Sequence, residues 1–296
     1  MNMESRNDRI SKAVFAILLL VFSLFCLFPL VFALIGSFTS ESEVILKGFT
    51  LFPEKLTLDT YRYTFSQKGH ELLGAYVMTI SATFLGTVIS MFITICYAFA
   101  ISMRDFRHAN KFALYAYITM IFSGGMLPWY LILTKYYGLK DSIWALTIPY
   151  GMNVFNMYLL RNFFKGLPWE IVESARIDGA GYFSILGRIY LPLAKVGLMT
   201  VMLFYALQFW NDFTLPLMLI TDTEYFTVQY ILYKLVSNIT YLSGSNGASM
   251  ANQHMTFPAQ TIKMAVTVIA IGPIVLLYPM IQKYFVKGVM VGALKG

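Results

Sequence analysis

Long, uninterrupted runs of apolar residues are the feature that most limits how this chain can fold. Each of six runs is long enough to cross a bilayer, which takes about 20 residues of helix. They are Ala13–Phe38, Leu72–Met103, Phe112–Leu133, Ser142–Phe163, Leu193–Ile220 and Thr261–Phe285. Because backbone polar groups in lipid must be satisfied within their own segment, the runs predict membrane helices and an all-α fold.

The composition supports this interpretation. Hydrophobic residues make up 58% of the chain and charged residues only 12%. A soluble domain has roughly a quarter charged residues, so lipid must cover much of this protein's surface. The formal net charge of +7 does not indicate a nucleic acid partner. The basic residues lie in short breaks between the apolar runs, where they indicate orientation instead.

The positions of lysine and arginine predict how the spans are oriented. Most of the 22 basic residues lie before the first span, between spans two and three, between spans four and five, or after span six. Positive residues favour the cytoplasmic side, so both termini are expected there. The chain would then have a cytoplasmic tail, 1–12, and a single transmembrane domain, 13–296. Extracytoplasmic loops would lie at about 39–71, 134–141 and 221–260.

Several spans contain residues that interrupt helices. These residues are Gly124, Gly125, Pro128, Pro149, Gly151, Pro216, Gly272, Pro273 and Pro279. A proline frees a backbone carbonyl and bends the helix. Bent helices suit a pathway that opens to alternate sides, but they also occur as ordinary packing geometry, so both interpretations stay open.

Neither the cysteines nor the histidines indicate a reactive centre. Cys26 and Cys96 lie in separate apolar runs and are expected to be buried thiols, and a metal site would need more ligands. The three histidines are far apart, so no metal site is predicted.

The break between spans four and five, 166–192, has the most informative pattern in the chain. Trp169–Ile177 has the spacing of a short amphipathic helix. Gly179 and Gly181 allow a sharp turn after it without a Cβ penalty. A second short helix, Tyr182–Arg188, then leads to the fifth span. The segment therefore predicts a helix–turn–helix hairpin in the cytoplasm.

Within this hairpin, small and acidic residues recur at fixed spacing. Glu173-Ser174-Ala175 is followed by Asp178-Gly179-Ala180 and then by Ile189-x-Leu191-Pro192. This spacing resembles the EAA loop of binding-protein-dependent ABC importers, whose pattern is Glu-Ala-Ala, three positions, Gly, nine positions, Ile-x-Leu-Pro. Ser174 replaces the first alanine of that pattern, which exchanges one small side chain for another.

The resemblance implies a type I ABC importer permease fold with six transmembrane helices and a cytoplasmic coupling helix. In that family the loop docks into a cleft of the ATP-binding subunit and transmits its closure. The implied ATPase-coupling residues are Glu173, Ser174, Ala175, Arg176, Asp178, Gly179, Ala180, Leu191 and Pro192. Glu173 and Asp178 offer charge-assisted contacts. Local pairing of Arg176 or Arg188 with Glu173 or Asp178 is an equal alternative.

The chain has no Gly-x-x-x-x-Gly-Lys-Ser/Thr loop, so hydrolysis is expected in another polypeptide and this chain is not expected to be an enzyme. ATP and Mg²⁺ would bind to partner subunits, and no cofactor is expected here. The resemblance implies a second permease subunit, two ATP-binding cassette subunits and an extracytoplasmic solute-binding protein, in a prokaryotic plasma (inner) membrane. The loop 221–260 either faces the binding protein or is a plain connector.

Other stretches indicate a branch of the family. Residues 124–130, 137–142, 156–164, 208–213 and 282–296 resemble carbohydrate-uptake permeases. The likeness is greatest to the smaller permease of maltose-type importers and to the lipoprotein-linked permeases for oligo- and polysaccharides. It implies a carbohydrate solute, an oligosaccharide or polysaccharide fragment, acidic ones included.

Sugars offer apolar ring faces and hydroxyls, so a passage favours aromatic rings beside amides and carboxylates. Trp210, Asn211 and Asp212 form such a cluster, and Asp212 is an acidic residue well inside a span. An intramembrane charge commonly faces a cavity or a partner. Asn156 and Tyr130 are further candidates for the pathway. Packing within the protein stays an alternative for these residues, and Arg104 and Arg107 are expected only to mark the cytoplasmic side.

Three other functions remain as alternatives. Within the family, the solute could be a peptide or an ion. A secondary transporter or channel working alone is less favoured, because the chain has no selectivity-filter run and no dense intramembrane charge pairing. An intramembrane enzyme would need paired catalytic groups, which the sequence lacks.

Overall fold

A computed structural model describes residues 6–243, 260–272 and 275 of the 296-residue chain. Regular structure in these residues is helical, apart from an isolated bridge between Thr39 and Leu56. The helices are α1 (Arg6–Phe38), α2 (Glu41–Lys47), α3 (Asp59–Ser102), α4 (Ala109–Ile121), α5 (Met126–Leu131), α6 (Ile143–Thr147), α7 (Val154–Lys165), α8 (Trp169–Ile177), α9 (Tyr182–Ile185), α10 (Leu191–Leu193), α11 (Lys195–Trp210), α12 (Thr214–Leu219), α13 (Val228–Ser243) and α14 (Gln260–Gly272). Four short turns extend or join them. They are π-helical at Ile132–Tyr136 and Leu186–Tyr190 and 3₁₀ at Ile148–Tyr150 and Thr223–Tyr225.

Within the part of the chain that the structure describes, two helices are long and apolar enough to cross a membrane by themselves. They are Ser11–Phe38 within α1 and Gly69–Ser102 within α3, and they match the first two predicted spans. The loop predicted at 39–71 is not all loop, since it contains α2 and the first residues of α3. The α2 helix forms there because Ser40 caps its N-terminus and Gly48, at φ 74°, ends it.

The third and fourth predicted spans are broken helices. The axes of α4 and of α5 with its π turn meet at 110°, and Gly125 at the break has a φ of 90°. The fourth span is divided between α6 with its 3₁₀ turn and α7. Interruption at Gly124-Gly125 and at Pro149-Gly151 is therefore confirmed.

The fifth predicted span also has a break, though not at its proline. The α11 helix ends at Trp210 and α12 begins at Thr214. Pro216 lies in the first turn of α12, where a helix needs no N–H donor from the residue. Of the sixth predicted span, the structure describes residues 261–272 and 275, so Pro273 and Pro279 lie outside the described residues.

The chain divides into two compact units. The first falls within Met1–Gly69 and Lys234–Pro273. In it, the Glu41 carboxylate accepts hydrogen bonds from the backbone N–H groups of Gln260 and Thr261, at 3.0 and 2.9 Å, and from the Thr261 hydroxyl at 2.8 Å. These N–H groups open α14 and have no partner within the helix, so Glu41 acts as a cap from a distant part of the chain.

The second unit falls within His70–Tyr233 and Ile274–Gly296 and contains a large cluster of buried side chains. The fully buried Tyr205 of α11 shares a 2.6 Å hydrogen bond between its hydroxyl and that of Thr94 in α3. Tyr190 packs edge-on against Phe99 and Phe164, with ring centroids 5.0 and 5.2 Å apart. These contacts join α3, α7 and the start of the fifth span.

The faces of the first two spans carry many exposed apolar side chains. Residues 11–31 of α1 are all exposed, which fits a helix surrounded by lipid or by another membrane subunit. Cys26 and Cys96 are exposed free thiols on these helices, so their expected burial is wrong. An apolar run predicts contact with an apolar medium, and lipid meets that condition as well as a protein core does.

Candidate functional site

The 166–192 hairpin has the predicted conformation at its tip. The first helix, α8, spans Trp169–Ile177 as predicted. Gly179 follows it with a φ of 81°, a left-handed conformation that suits glycine. The N–H of Ala180 bonds to the Ala175 carbonyl at 2.9 Å, and the N–H of Gly179 bonds to the Arg176 carbonyl at 3.0 Å. This is the Schellman arrangement, which ends α8 and reverses the chain.

The hairpin has a buried side and an exposed side. Val172 of α8 and Ile185 of α9 are each 1% exposed and pack within the core of the second unit. On the other side, Ile177 is 82% and Phe183 89% exposed. Glu173, Ser174, Asp178 and Gly179 are exposed as well. The hairpin is therefore anchored by its inner face and presents apolar, small and acidic groups outward.

Most of the predicted coupling residues lie near this tip. Leu191 and Pro192 lie apart from it, in α10 at the entrance to the fifth span. The second limb continues through a π-helical turn, so it extends further than the predicted Tyr182–Arg188 helix.

A carboxylate from another loop contacts both limbs of the hairpin. Asp105 follows α3, and its Oδ2 lies 2.9 Å from Nη1 of Arg176 in α8. The same oxygen accepts a 2.7 Å hydrogen bond from the hydroxyl of Tyr182 in α9. Arg176 Nη2 also donates to that hydroxyl at 3.2 Å, which closes a triangle of three contacts. The neighbouring Arg104 places its guanidinium over the Trp169 ring, 5.3 Å from the centroid.

The negative charge of Asp105 is stabilised by the Tyr182 hydroxyl and by the positive charge of Arg176. The Tyr182 hydroxyl, with the Arg176 guanidinium, holds the pKa of the Asp105 carboxyl below its usual range. The same hydrogen bond to Asp105 raises the pKa of the Tyr182 phenol. At neutral pH, Asp105 is therefore a carboxylate and Tyr182 is protonated and able to donate.

Two expectations about the arginines need correction. Arg176 pairs with Asp105, not with Glu173 or Asp178. Arg104 contacts the hairpin, so it does more than mark one side of the membrane. Asp105 itself was not predicted, because a lone acidic residue beside Arg104 and Arg107 has no distinctive spacing. An Asp between two arginines is too common a pattern to identify a partner 71 residues away.

The predicted pathway residues have diverse surroundings. Asp212 lies in the break between α11 and α12, where its two oxygens accept hydrogen bonds from the N–H groups of Thr214 and Leu215, at 3.1 and 3.2 Å. The Tyr150 hydroxyl donates to Asp212 at 3.4 Å. The carboxylate thus caps α12, which is a structural role for a charge inside a span.

The other four candidates do not form one surface. Trp210 and Asn156 are buried, at 8% and 3% exposure, while Asn211 is exposed and Tyr130 is half-buried. The Asn211 amide donates to the Leu207 carbonyl at 2.9 Å. The structure therefore places only Asn211 and Asp212 side by side at an accessible break.

The sequence analysis did not identify a set of hydrogen bonds between polar groups near these residues. The Tyr205 hydroxyl accepts a 2.9 Å bond from the N–H of Asn153, where α7 begins, and also contacts Thr94. The Ser90 hydroxyl donates to the Tyr150 carbonyl at 3.1 Å. Tyrosine, serine and threonine occur in many membrane helices, so no spacing signal distinguishes these.

Elsewhere in the second unit, a further carboxylate joins two loops. Asp141 accepts hydrogen bonds from the N–H groups of Thr221 and Asp222 and from the Thr221 hydroxyl. These backbone donors hold the pKa of the Asp141 carboxyl below its usual range. We name these residues the Asp141 latch. It joins the loops predicted at 134–141 and 221–260.

Comparison with known proteins identifies the family to which this chain is similar. Residues 1–291 match the family described as binding-protein-dependent transport system inner membrane component. The chain is 37% identical over 278 residues, 94% of its length and 96% of the relative's, to the polygalacturonan/rhamnogalacturonan transport system permease protein YtcP of Bacillus subtilis (strain 168). It is 39% identical over 268 residues to protein LplC of the same organism, covering 90% of this chain and 89% of LplC.

A solved structure shows the same fold. A chain from a crystal structure of a bacterial ABC transporter involved in the import of the acidic polysaccharide alginate matches with a TM-score of 0.81. The match has 30% sequence identity and covers 96% of this chain and 100% of that one.

Proposed function

The chain belongs to the family of binding-protein-dependent transport system inner membrane components, and from this premise we propose that its 166–192 hairpin docks onto ATP-hydrolysing subunits. The chain has the type I ABC permease fold and is a membrane transport component, not an enzyme. The observation that supports the docking role is the hairpin tip. Ile177 and Phe183 are almost fully exposed there, beside a glycine turn that leaves room for a close partner.

The physical reason for such a tip is its combination of shape and charge. A Cβ added at Gly179 would meet nothing within 4 Å in this chain, so the space beside the turn is open. Exposed apolar patches commonly mark surfaces that bind another protein. Glu173 and Asp178 add carboxylates that can bind a basic rim. ATP and Mg²⁺ would then be held by the partner subunits.

The test is Gly179→Asp. A residue with a Cβ costs about 1–2 kcal/mol in the left-handed conformation, and the new side chain would occupy the open space that the partner needs. We expect ATPase subunits to co-purify with the variant at least about tenfold less than with the unchanged chain, while membrane insertion is retained. Substrate-stimulated ATP hydrolysis should be lost with them.

The matched control is Gly138→Asp. Gly138 also has a positive φ, 63°, and nothing within 4 Å of an added Cβ, but it lies far along the chain in the 134–141 loop. The backbone strain is similar, so the control should keep its ATPase subunits. Normal co-purification with Gly179→Asp, or equal loss with Gly138→Asp, would contradict the docking role.

The complete importer would contain a second permease, two ATP-binding cassette subunits and an extracytoplasmic solute-binding protein. We place six spans in this chain, with both termini and the hairpin in the cytoplasm and the Asp141 latch outside. The positive residues around the hairpin support this orientation. ATP binding would favour the state open to the outside, and hydrolysis would reset it.

The proposed solute is a carbohydrate, in particular a fragment of an acidic polysaccharide. Its support is the agreement between two likenesses, since a galacturonan permease and an alginate importer both handle sugars that bear carboxylates. The break at Asn211 and Asp212 is the proposed point where this chain meets the pathway. Asn211 is exposed there, while the Asp212 oxygens are occupied by α12.

A further inference from the structure

The segment that follows α3 holds the hairpin through directional contacts. Asp105 bonds to Arg176 on one limb and Tyr182 on the other, with heavy-atom distances of 2.9 and 2.7 Å. The two limbs thus share a single carboxylate oxygen. Because α3 includes the membrane-crossing stretch Gly69–Ser102, this oxygen connects the hairpin to the end of a long helix in the membrane.

The other contacts of the hairpin are mainly apolar. Val172 and Ile185 are buried within the core, but apolar attraction has no preferred direction and allows sliding. A charge-assisted hydrogen bond is short and directional, so it resists a change of angle. Each contact of a partly exposed pair is weak by itself. A closed triangle, in which each group contacts the other two, restrains the rotamers of all three.

We propose that Asp105 is a positioning residue for energy coupling: it locks both limbs of the hairpin to α3, so that a movement of the hairpin becomes a movement of the membrane helix. This role rests on the proposed function. It differs from docking, because the Asp105 oxygen is engaged on this chain's own Arg176 and Tyr182. Loss of Asp105 would therefore leave the docking tip, Ile177 to Phe183, in place and weaken the connection behind it.

The test uses the complete importer in proteoliposomes, with its partner subunits and binding protein. The number of galacturonate oligomers imported per ATP hydrolysed and the amount of co-purified ATPase are measured for Asp105→Asn. We expect normal co-purification and a fall of about fivefold in the transport-to-hydrolysis ratio, as one charge-assisted contact is lost. Asp105→Glu, which keeps the charge, should recover part of the ratio, and Tyr182→Phe should lower it by a smaller factor.

Arg107→Gln is the matched control. It removes one charge from the same exposed segment, and its ratio should stay unchanged. An unchanged ratio in Asp105→Asn would overturn the proposal, and so would a loss of co-purified ATPase, since either shows that Asp105 does not act behind the docking step. Gly179→Asp in the same assay separates the two ideas. If that variant keeps its ATPase, the docking function itself has failed.

Discussion

At the scale of single residues, two glycines on α3 have very different surroundings. A Cβ at Gly86 would lie 2.6 Å from ring carbons of Phe209, a side chain that is 4% exposed and has little room to move. A Cβ at Gly74 would meet nothing within 4 Å. Small residues let membrane helices approach closely, so Gly86 marks the contact of α3 with α11.

This difference predicts opposite effects of the same substitution. Gly86→Ala should lower the free energy of unfolding by about 1–3 kcal/mol, the usual cost of overpacking. Gly74→Ala should leave it unchanged or raise it by up to about 1 kcal/mol, because alanine favours helix. Thermal unfolding of the purified importer measures both. Equal shifts in the two variants would contradict the close packing at Gly86.

The Asp141 latch makes a second prediction at this scale. Asp141→Ala removes the acceptor of two backbone N–H groups, so hydrogen exchange at Thr221 and Asp222 should become roughly tenfold faster. Asp141→Asn is the matched control, because asparagine also tolerates the φ of 45° at this position and keeps one acceptor oxygen. It should lose less protection. Equal exchange in both variants and in the unchanged chain would exclude the latch.

The pH dependence of the latch follows from the lowered pKa of Asp141. A carboxyl whose folded-state pKa is depressed contributes stability above its ordinary value of about 4 and loses it as the pH falls through the folded-state value. Protection of the two amides, corrected for intrinsic exchange, should therefore be constant from pH 8 to about 5. A decline within that range would show that another group controls the loops.

Residues that act through local backbone geometry were predictable, and those that act through distant partners were not. Gly179 was identified because a sharp turn after an amphipathic helix requires a special backbone conformation, and its φ of 81° confirms this. Asp105 and Glu41 were not identified. Their partners lie 71 and about 220 residues away, and no local pattern encodes such a pairing.

At the scale of helices, the break between α11 and α12 depends on Asp212. Its carboxylate accepts from the first N–H groups of α12, which have no partner within the helix. The sequence analysis singled out this acidic residue because of its unusual place in a span. It did not predict that the carboxylate oxygens would cap the N-terminus of α12. The continuous apolar run concealed the break, since hydropathy does not report helix ends.

The cap predicts a graded response at this position. Asp212→Ala should destabilise the protein by about 0.5–2 kcal/mol, as for the loss of other N-terminal caps. Asp212→Asn keeps one acceptor and should cost less. Thermal unfolding measures the two variants, and transport assays show whether asparagine supports import. Normal stability in Asp212→Ala would contradict the capping role and favour a role of the charge in the pathway alone.

At the scale of the whole molecule, hydropathy predicted the helical class and located the first two spans. It was less successful for spans three to five, because glycine, proline and polar residues divide them into shorter helices. In the third span the two pieces meet at 110°. The prediction of a single transmembrane domain stays a prediction, as does the six-span count.

The solute class is also tested at this scale. If acidic fragments are the solute, galacturonate oligomers should stimulate ATP hydrolysis by the complete importer, and neutral oligomers of equal length should do so at least about tenfold less. A hexose oligomer without carboxylates is the matched control. Equal stimulation by the neutral series would contradict the acidic preference, and stimulation by peptides or ions alone would contradict a sugar.

Contact between the hairpin tip and an ATP-hydrolysing subunit can be examined by site-specific cross-linking. A photoreactive side chain placed at Phe183 should cross-link to an ATP-binding cassette subunit in the assembled importer. The same group at Phe52, which is 91% exposed in the loop predicted to lie outside, should not. Cross-links to the ATPase from position 52 but none from position 183 would contradict the proposed contact between the hairpin tip and that subunit.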